Sequence, residues 1–273
     1  MKPMNETKNE IKELWPGQSI DLLKTLHILT KDGRLNQDSK RKLKQIHHLI
    51  QLIDPHLTDA KSIVDLGAGK SYLGFMLYDL KLREKEDTHV WAVEKRPELV
   101  ETCKKIATTA DFKRMTFVPN SIQEAWTTAE IPASVDAVCA LHACDTATDE
   151  AIAFALKRDA KVIALVPCCQ AEVARLLEKL KPSEQRDLES LWSLGIHRRE
   201  FGSHLTNVIR ALFLEAKGYK VRVTELIGWE HSMKNELILA TRHQRSNPIA
   251  QKRLDGLLRL LPVDMKLFEM VSP

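Results

Sequence analysis

Aromatic side chains are scarce in this 273-residue chain, with Phe, Trp and Tyr together making up 5% of it. Stacking on aromatic platforms is the usual way to hold single-stranded nucleic acid, so a single-strand binder is disfavoured. Long hydrophobic runs are also missing. No stretch approaches the roughly 20 apolar residues needed to cross a bilayer, and Met1-Lys2-Pro3-Met4 does not begin a signal-peptide pattern. The expectation is a cytoplasmic protein with no membrane partner. The five cysteines, Cys103, Cys139, Cys144, Cys168 and Cys169, are odd in number and irregularly spaced, which argues against a disulfide framework. Charge of one sign is lacking too. Forty-one Lys and Arg against 37 Asp and Glu leave a net charge of +4, which permits nucleic-acid contact without demanding it. Internal repeats and low-complexity segments are absent.

What is present is a 44% hydrophobic composition, which suits a globular core, in a length that bounds the chain to one domain with additions or at most two. Its most informative stretch is Ile63-Val64-Asp65-Leu66-Gly67-Ala68-Gly69-Lys70-Ser71. A short apolar run ends in an acid, then glycines, then an apolar-periodic helix from Tyr72. That is the strand–turn–helix unit that binds nucleotide-like ligands in α/β folds. Three ligands compete for it. A phosphate-cradling loop needs G-x-x-x-x-G-K-[ST]; Gly69-Lys70-Ser71 ends correctly, but Val64 stands where the first glycine belongs. A dinucleotide loop needs G-x-G-x-x-G, and Tyr72 stands where the third glycine belongs. The third pattern is acid-x-Gly-x-Gly, with a second acid, Glu94, ending the next strand. A carboxylate there accepts hydrogen bonds from a sugar diol or an ammonium, and glycines let the backbone come close.

Strands and helices alternate after the loop, the signature of a parallel sheet. Strands are expected at about 62–66, 89–94, 115–118, 134–141 and 161–166, and helices at 72–83, 97–109, 146–158 and 170–181. Residues 1–60 read as a helical extension. Ile20, Leu23, Leu26 and His27 share one face there. A helix over 39–57 follows, with Leu43, Ile46, Ile50, Ile53 and Leu57 on one side. The domain proper spans 61–245, with a helical insertion at about 182–217 whose last helix covers 205–217. A closing hairpin pairs 220–227 with 236–242. Residues 246–273 hold a final helix packed on the domain.

Asp65-Leu66-Gly67-Ala68-Gly69 and Glu94 together resemble the class I S-adenosylmethionine-dependent methyltransferases. The resemblance implies a Rossmann-like α/β fold with a seven-stranded sheet and S-adenosyl-L-methionine as cofactor. It assigns Asp65, Gly67, Gly69, Lys70, Glu94, Asn120, Ser121 and Leu141 to the cofactor site. His142-Ala143-Cys144 followed by Ala147-Thr148-Asp149, with paired Cys168-Cys169 at the next strand end, narrows it further. This pattern is similar to a subgroup that includes the tRNA acceptor-stem 2′-O-methyltransferases and uncharacterised methyltransferase-like proteins. Two departures stand out: the zinc-finger cysteines of the tRNA enzymes are missing, and Asp145 replaces their glycine.

Four readings of His142, Cys144, Asp145, Cys168 and Cys169 stay open. Soft side chains pack strand ends well. His142 could take a proton from a hydroxyl acceptor while Asp145 orients it. A cysteine, Cys144 or Cys168, could attack a pyrimidine ring. A zinc site is disfavoured because adjacent cysteines rarely share one zinc, so no metal is expected. Substrate contacts are sought in the basic helix start at Lys40, Arg41, Lys42 and Lys44, in Arg198 and Arg199 of the insertion, and in Lys234 and Asn235 of the hairpin loop. Structured RNA, as tRNA or rRNA, is the expected partner. A small-molecule methyltransferase and a non-catalytic S-adenosylmethionine-binding module are the alternatives.

Overall fold

Polar caps set the N-terminal helices of the computed structural model, which describes residues 12–168, 170–180, 186–226 and 236–271. The Ser19 hydroxyl accepts from the Leu22 N–H at 3.2 Å to begin α1 (Ile20–Thr25). Asn36 accepts from the Ser39 N–H at 2.7 Å to begin α2 (Gln37–Ile53). The cap moves the helix start ahead of the expected position 39. A 3-10 turn, Asp54–His56, ends α2. Leu43, Ile46, Ile50, Ile53 and Leu57 are all buried, as their spacing predicts. The face expected for α1 differs. Leu22, Leu23 and Leu26 are buried, but Ile20 and His27 are exposed, because the helix stops at Thr25 and His27 turns the chain with φ of 57°.

The alternating part follows as β1 (Ser62–Leu66), α3 (Tyr72–Leu77, extended by a π-helical turn to Leu82), β2 (His89–Val93), α4 (Pro97–Thr109) and β3 (Met115–Val118). Then come β4 (Ala137–Ala143), α5 (Thr146–Lys157), β5 (Val162–Pro167) and α6 (Glu172–Lys179). The insertion holds α7 (Arg186–Glu189) and α8 (Gly195–Ala216). The chain closes with β6 (Tyr219–Glu225), β7 (Glu236–Arg242), α9 (Pro248–Leu260) and α10 (Lys266–Met270). One seven-stranded sheet runs in the order β3-β2-β1-β4-β5-β7-β6. β1 to β5 pair in parallel, and β7 is antiparallel to both β5 and β6.

Strand alternation divides the core between the two faces of the sheet. Ile63 belongs to a cluster with Ile46, Phe75 and Ile106, on the side of α2, α3 and α4. Val64 and Leu66 belong to the opposite cluster with Phe154, Ile209 and Leu254, on the side of α5, α8 and α9. Each fully buried Leu, Ile or Phe contributes about 1.5–3 kcal/mol. α8 runs from Gly195 rather than from the expected position 205. Both Gly195 and Gly202 therefore lie within it. Gly202 marks a helix crossing, because a Cβ there would lie 2.8 Å from the backbone of Ala174 in α6.

The strand order reverses between β1 and β4, since β2 follows β1 on one side and β4 lies on the other. Crevices beyond the carboxyl ends of strands at such a switch point are where open α/β sheets bind ligands.

Candidate active site

The glycine loop leaves β1 at this switch point. Gly67 and Gly69 have φ of 64° and 59°, values that cost side-chain-bearing residues a steric penalty. The Ala68 N–H bonds the Val93 carbonyl at 2.9 Å and so ties the loop to β2. A Cβ on Gly67 would meet only Ile122 Cδ1, at 4.0 Å. The loop therefore presents bare backbone with an apolar neighbour from the segment after β3. Lys70 is exposed, and Ser71 is fully buried at the N-terminus of α3.

Asp65 is buried in β1, two residues before Gly67, and its Oδ2 would lie 3.5 Å from a Cβ on Gly74. Burial pushes its pKa up to about 7, against the weaker opposing pull of the Gly74 N–H and the Ser71 hydroxyl. Those contacts are too loose to count as hydrogen bonds: Asp65 Oδ2 and Ser71 Oγ are both buried without a partner.

Glu94 follows β2 and reaches the glycine loop, and it too is buried. Its Oε2 accepts from the Gly69 N–H at 2.8 Å, and its Oε1 accepts from the Arg96 N–H at 3.1 Å. The Arg96 guanidinium adds Nε to Oε1 at 2.7 Å and Nη2 to Oε2 at 3.2 Å. Burial works to raise the Glu94 pKa, but these hydrogen bonds outweigh it and hold the carboxyl below the usual range. Arg96 thus lies over the glycine loop, its Nη2 3.8 Å from where a Gly69 Cβ would be. Beyond β3, the half-buried Asn120 has no side-chain partner among the described residues. Ser121 is engaged with Glu124: the Ser121 N–H donates to Glu124 Oε2 at 2.7 Å, and the Ser121 hydroxyl accepts from the Glu124 N–H at 3.2 Å.

Leu141 lies near the end of β4, Cys144 and Asp145 directly follow it, and Cys168 directly follows β5. Leu141 pairs with Val166, half-buried against the core. The Cys144 and Cys168 sulfurs are 2.7 Å apart. Asp145 leaves the strand with φ of 49° and ψ of −120°, a conformation suited to the glycine that the tRNA enzymes carry there. Its carboxylate faces α6. Oδ1 accepts from the Ala171 and Glu172 N–H groups at 3.0 and 3.1 Å, and Oδ2 accepts from Arg175 at 3.0 Å. Burial opposes ionisation of Asp145, and these bonds overcome it and lower its pKa. The side chain of His142, together with Cys169, Lys234 and Asn235, lies outside the described residues.

The basic groups are dispersed. Lys40 pairs with Glu13 at 2.8 Å and Arg41 with Asp38 at 3.8 Å. Lys44 is exposed on the same helix start. Lys42 sits over the ring of Tyr72, with Nζ 4.4 Å from the centroid, which brings the start of α2 beside the glycine loop. Arg198 pairs with Glu178 of α6 at 2.8 Å, and Arg199 with Glu200 at 2.8 Å.

Several residues near this edge were not visible as functional in the sequence. Arg210 of α8 is buried and grips Asp149 with two bonds of 2.7 Å, while its Nη2 reaches the Asp145 carbonyl at 2.8 Å. Asn207 donates to the Glu236 carboxylate and accepts from Gln170 at 3.3 Å, and Ser203 donates to Gln170 at 2.8 Å. Arg96 was equally hidden; only its position two residues after Glu94 signals it. Among the described residues, no cluster of His, Cys, Asp and Glu could hold a metal ion, and no helix is long and apolar enough to cross a membrane.

Residues 41–176 match a family model described as a methyltransferase domain. No curated protein matches the chain. Among solved structures, an SAH-bound methyltransferase from Podospora anserina aligns with a TM-score of 0.53 at 13% identity, over 89% of this chain and 99% of that one. A candidate O-methyltransferase from Klebsiella pneumoniae aligns with a TM-score of 0.52 at 16% identity, over 86% of this chain and 94% of that one. At these identities the likeness establishes the Rossmann-like methyltransferase fold.

Proposed function

Taking as premise that the chain carries a methyltransferase domain over residues 41–176, we propose that it is an S-adenosylmethionine-dependent methyltransferase whose acceptor is structured RNA. The observation that supports this reading best is the contact of Lys42 with Tyr72, 4.4 Å from Nζ to the ring centroid. It sets the basic start of α2 against the helix that leaves the glycine loop. Lys42, on the helix start that also carries Lys40, Arg41 and Lys44, would then lie beside the cofactor crevice, where phosphates flanking a target nucleotide would pass.

The crevice fits S-adenosylmethionine in its chemistry. Glu94 would accept from the ribose hydroxyls, Asn120 would contact the adenine edge, and the Gly67–Gly69 backbone would lie against the ligand. Leu141 would form part of its apolar floor. The fit carries one condition. A carboxylate has about four acceptor positions, and the Gly69 N–H, the Arg96 N–H and two guanidinium nitrogens engage Glu94. The two backbone groups are fixed, so a ribose diol displaces the guanidinium.

When bound, S-adenosylmethionine supplies an already activated methyl group. What this chain must contribute is alignment of the acceptor, the larger part of the barrier in such a transfer. Cys144 and Cys168, at the ends of β4 and β5, line the acceptor side. His142, the penultimate residue of β4, is the candidate group to take the proton from an acceptor hydroxyl. Asp145 would act at the same strand end, with its carboxylate bonded to the first turn of α6.

Calorimetry with S-adenosylmethionine and its demethylated product, SAH, tests the cofactor. Absence of binding by wild type rejects the methyltransferase reading. A structured transfer RNA tests the acceptor class: its affinity should fall steeply with salt and drop when Lys40, Arg41, Lys42 and Lys44 are changed to Glu. If cofactor binds and RNA does not, a small-molecule acceptor replaces RNA. Comparing modified nucleosides in RNA from cells with and without the protein then identifies the methylated position.

A further inference from the structure

β4 and β5 run parallel in a regular register, with Cys139 opposite Ala164 and Leu141 opposite Val166. Continued unbroken, that register would place Cys144 opposite Cys169. A bulge between Leu141 and Ala143 shifts it by one, so that Ala143 pairs with Pro167. The next residue on each strand is then Cys144 and Cys168. Adjacent strands are about 4.8 Å apart, inside the Cα separation of roughly 4.4–6.8 Å that a disulfide spans. The side chains use this placement, since the two sulfurs approach to 2.7 Å. Cys144 is exposed and Cys168 half-buried, so a soluble oxidant reaches them.

We propose that Cys144 and Cys168 are a reversible oxidation site, forming a disulfide that joins the carboxyl ends of β4 and β5. The oxidant is a low-molecular-weight disulfide such as glutathione disulfide. The Cys144 thiolate attacks one sulfur of that disulfide. The oxidant's S–S bond breaks, a mixed disulfide forms on Cys144, and one glutathione thiolate leaves. The Cys168 thiolate then attacks the Cys144 sulfur, forming the internal bond and expelling the second glutathione thiolate. Two protein thiols lose their protons and two electrons, and one glutathione disulfide becomes two glutathione thiols. Attack by a thiolate through a mixed disulfide is the general route of such exchange. The bulge brings Cys168 beside Cys144, and the site does not depend on which acceptor is methylated.

The full chain is incubated with glutathione disulfide, its remaining thiols are alkylated, and the disulfides are mapped by tandem mass spectrometry. Wild type is expected to lose two thiols, to show Cys144 bonded to Cys168, and to regain both thiols with dithiothreitol. The Cys169→Ser variant should behave in the same way. The Cys144→Ser and Cys168→Ser variants should carry at most a glutathione adduct on the remaining partner. A wild-type chain that keeps its thiols, stops at the mixed disulfide, or links through Cys169 or Cys139 overturns the proposal.

Discussion

The carboxylate of Asp145, at the end of β4, accepts the N–H of Glu172 at 3.1 Å and so caps a helix that begins 27 residues later. Helix α6 has no capping side chain of its own, because Ala171 occupies its N-cap position. Asp145 supplies the missing acceptor from across the sheet edge while holding a positive φ. Asp145→Ala should therefore lower stability by about 1–2 kcal/mol, the ordinary worth of an N-cap. Asp145→Gly relieves the backbone strain and should lose less. Urea titrations of the two variants decide the order. The folded-state pKa is lowered, so the cap's contribution is present above the carboxyl's ordinary range and is lost as pH falls through the folded value.

Asp65 gives the opposite pH dependence. Its folded pKa is raised from 3.8 to about 7, so the folded state holds a proton that the unfolded chain releases. Its effect favours folding below the unfolded value and is lost as pH rises through about 7. Asp65→Asn, which cannot ionise, should therefore gain stability relative to wild type as pH rises from about 4 to about 7, between the unfolded and folded pKa values. A difference that stays flat across thermal melts in that window would contradict the assignment.

Glu94 and Arg96 should affect cofactor affinity in opposite directions. Glu94→Ala removes the acceptor for the ribose and should weaken SAH binding at least about tenfold, or roughly 1.4 kcal/mol. Arg96→Met removes the competing guanidinium and should tighten it. Calorimetry on the two single variants measures both effects, and equal weakening by both would mean that Arg96 holds the ligand instead of yielding to it.

Gly74 is a close-approach site. A methyl group there would lie 2.6 Å from Ser71 Oγ and 3.3 Å from the end of Met115. Gly74→Ala should cost about 1–3 kcal/mol from overpacking, and the displaced Ser71 should carry the loss into SAH binding. Chemical denaturation and calorimetry read the two effects separately.

Arg210 and Asp149 form a buried pair, with side chains 1% and 0% exposed. Arg210→Met leaves the Asp149 charge buried without its partner and should destabilise by about 3–5 kcal/mol. Adding Asp149→Leu to the same chain removes the orphaned charge and should recover part of the loss. A double-mutant cycle by urea denaturation checks this.

The succession of strands and helices and the glycine turn after β1 were legible because they rest on local patterns. The alternation of apolar runs and helices, the glycines at 67 and 69, and the acid at 94 each announce themselves within a few residues. What escaped depends on tertiary neighbours. The packing of Ala174 on Gly202 has no local sign in the sequence. That Asp145 also bonds the two N–H groups that open α6 shows only in the fold. Arg210 is one arginine among many, and only the fold shows that it is buried against Asp149. The one-residue shift at the end of β4 leaves no sequence signature, so the approach of Cys144 to Cys168 could not be read from sequence.

The Arg96 clamp on Glu94 also bears on the order of assembly. While the carboxylate is held, the guanidinium is spent on an internal contact. A ligand that takes over Glu94 liberates a positive charge beside the glycine loop, where a phosphodiester would welcome it. The two ligands would then assist each other. Linkage requires the help to be mutual, so RNA affinity should rise with SAH present by the same factor as SAH affinity rises with RNA present, and Arg96→Met should abolish both gains together.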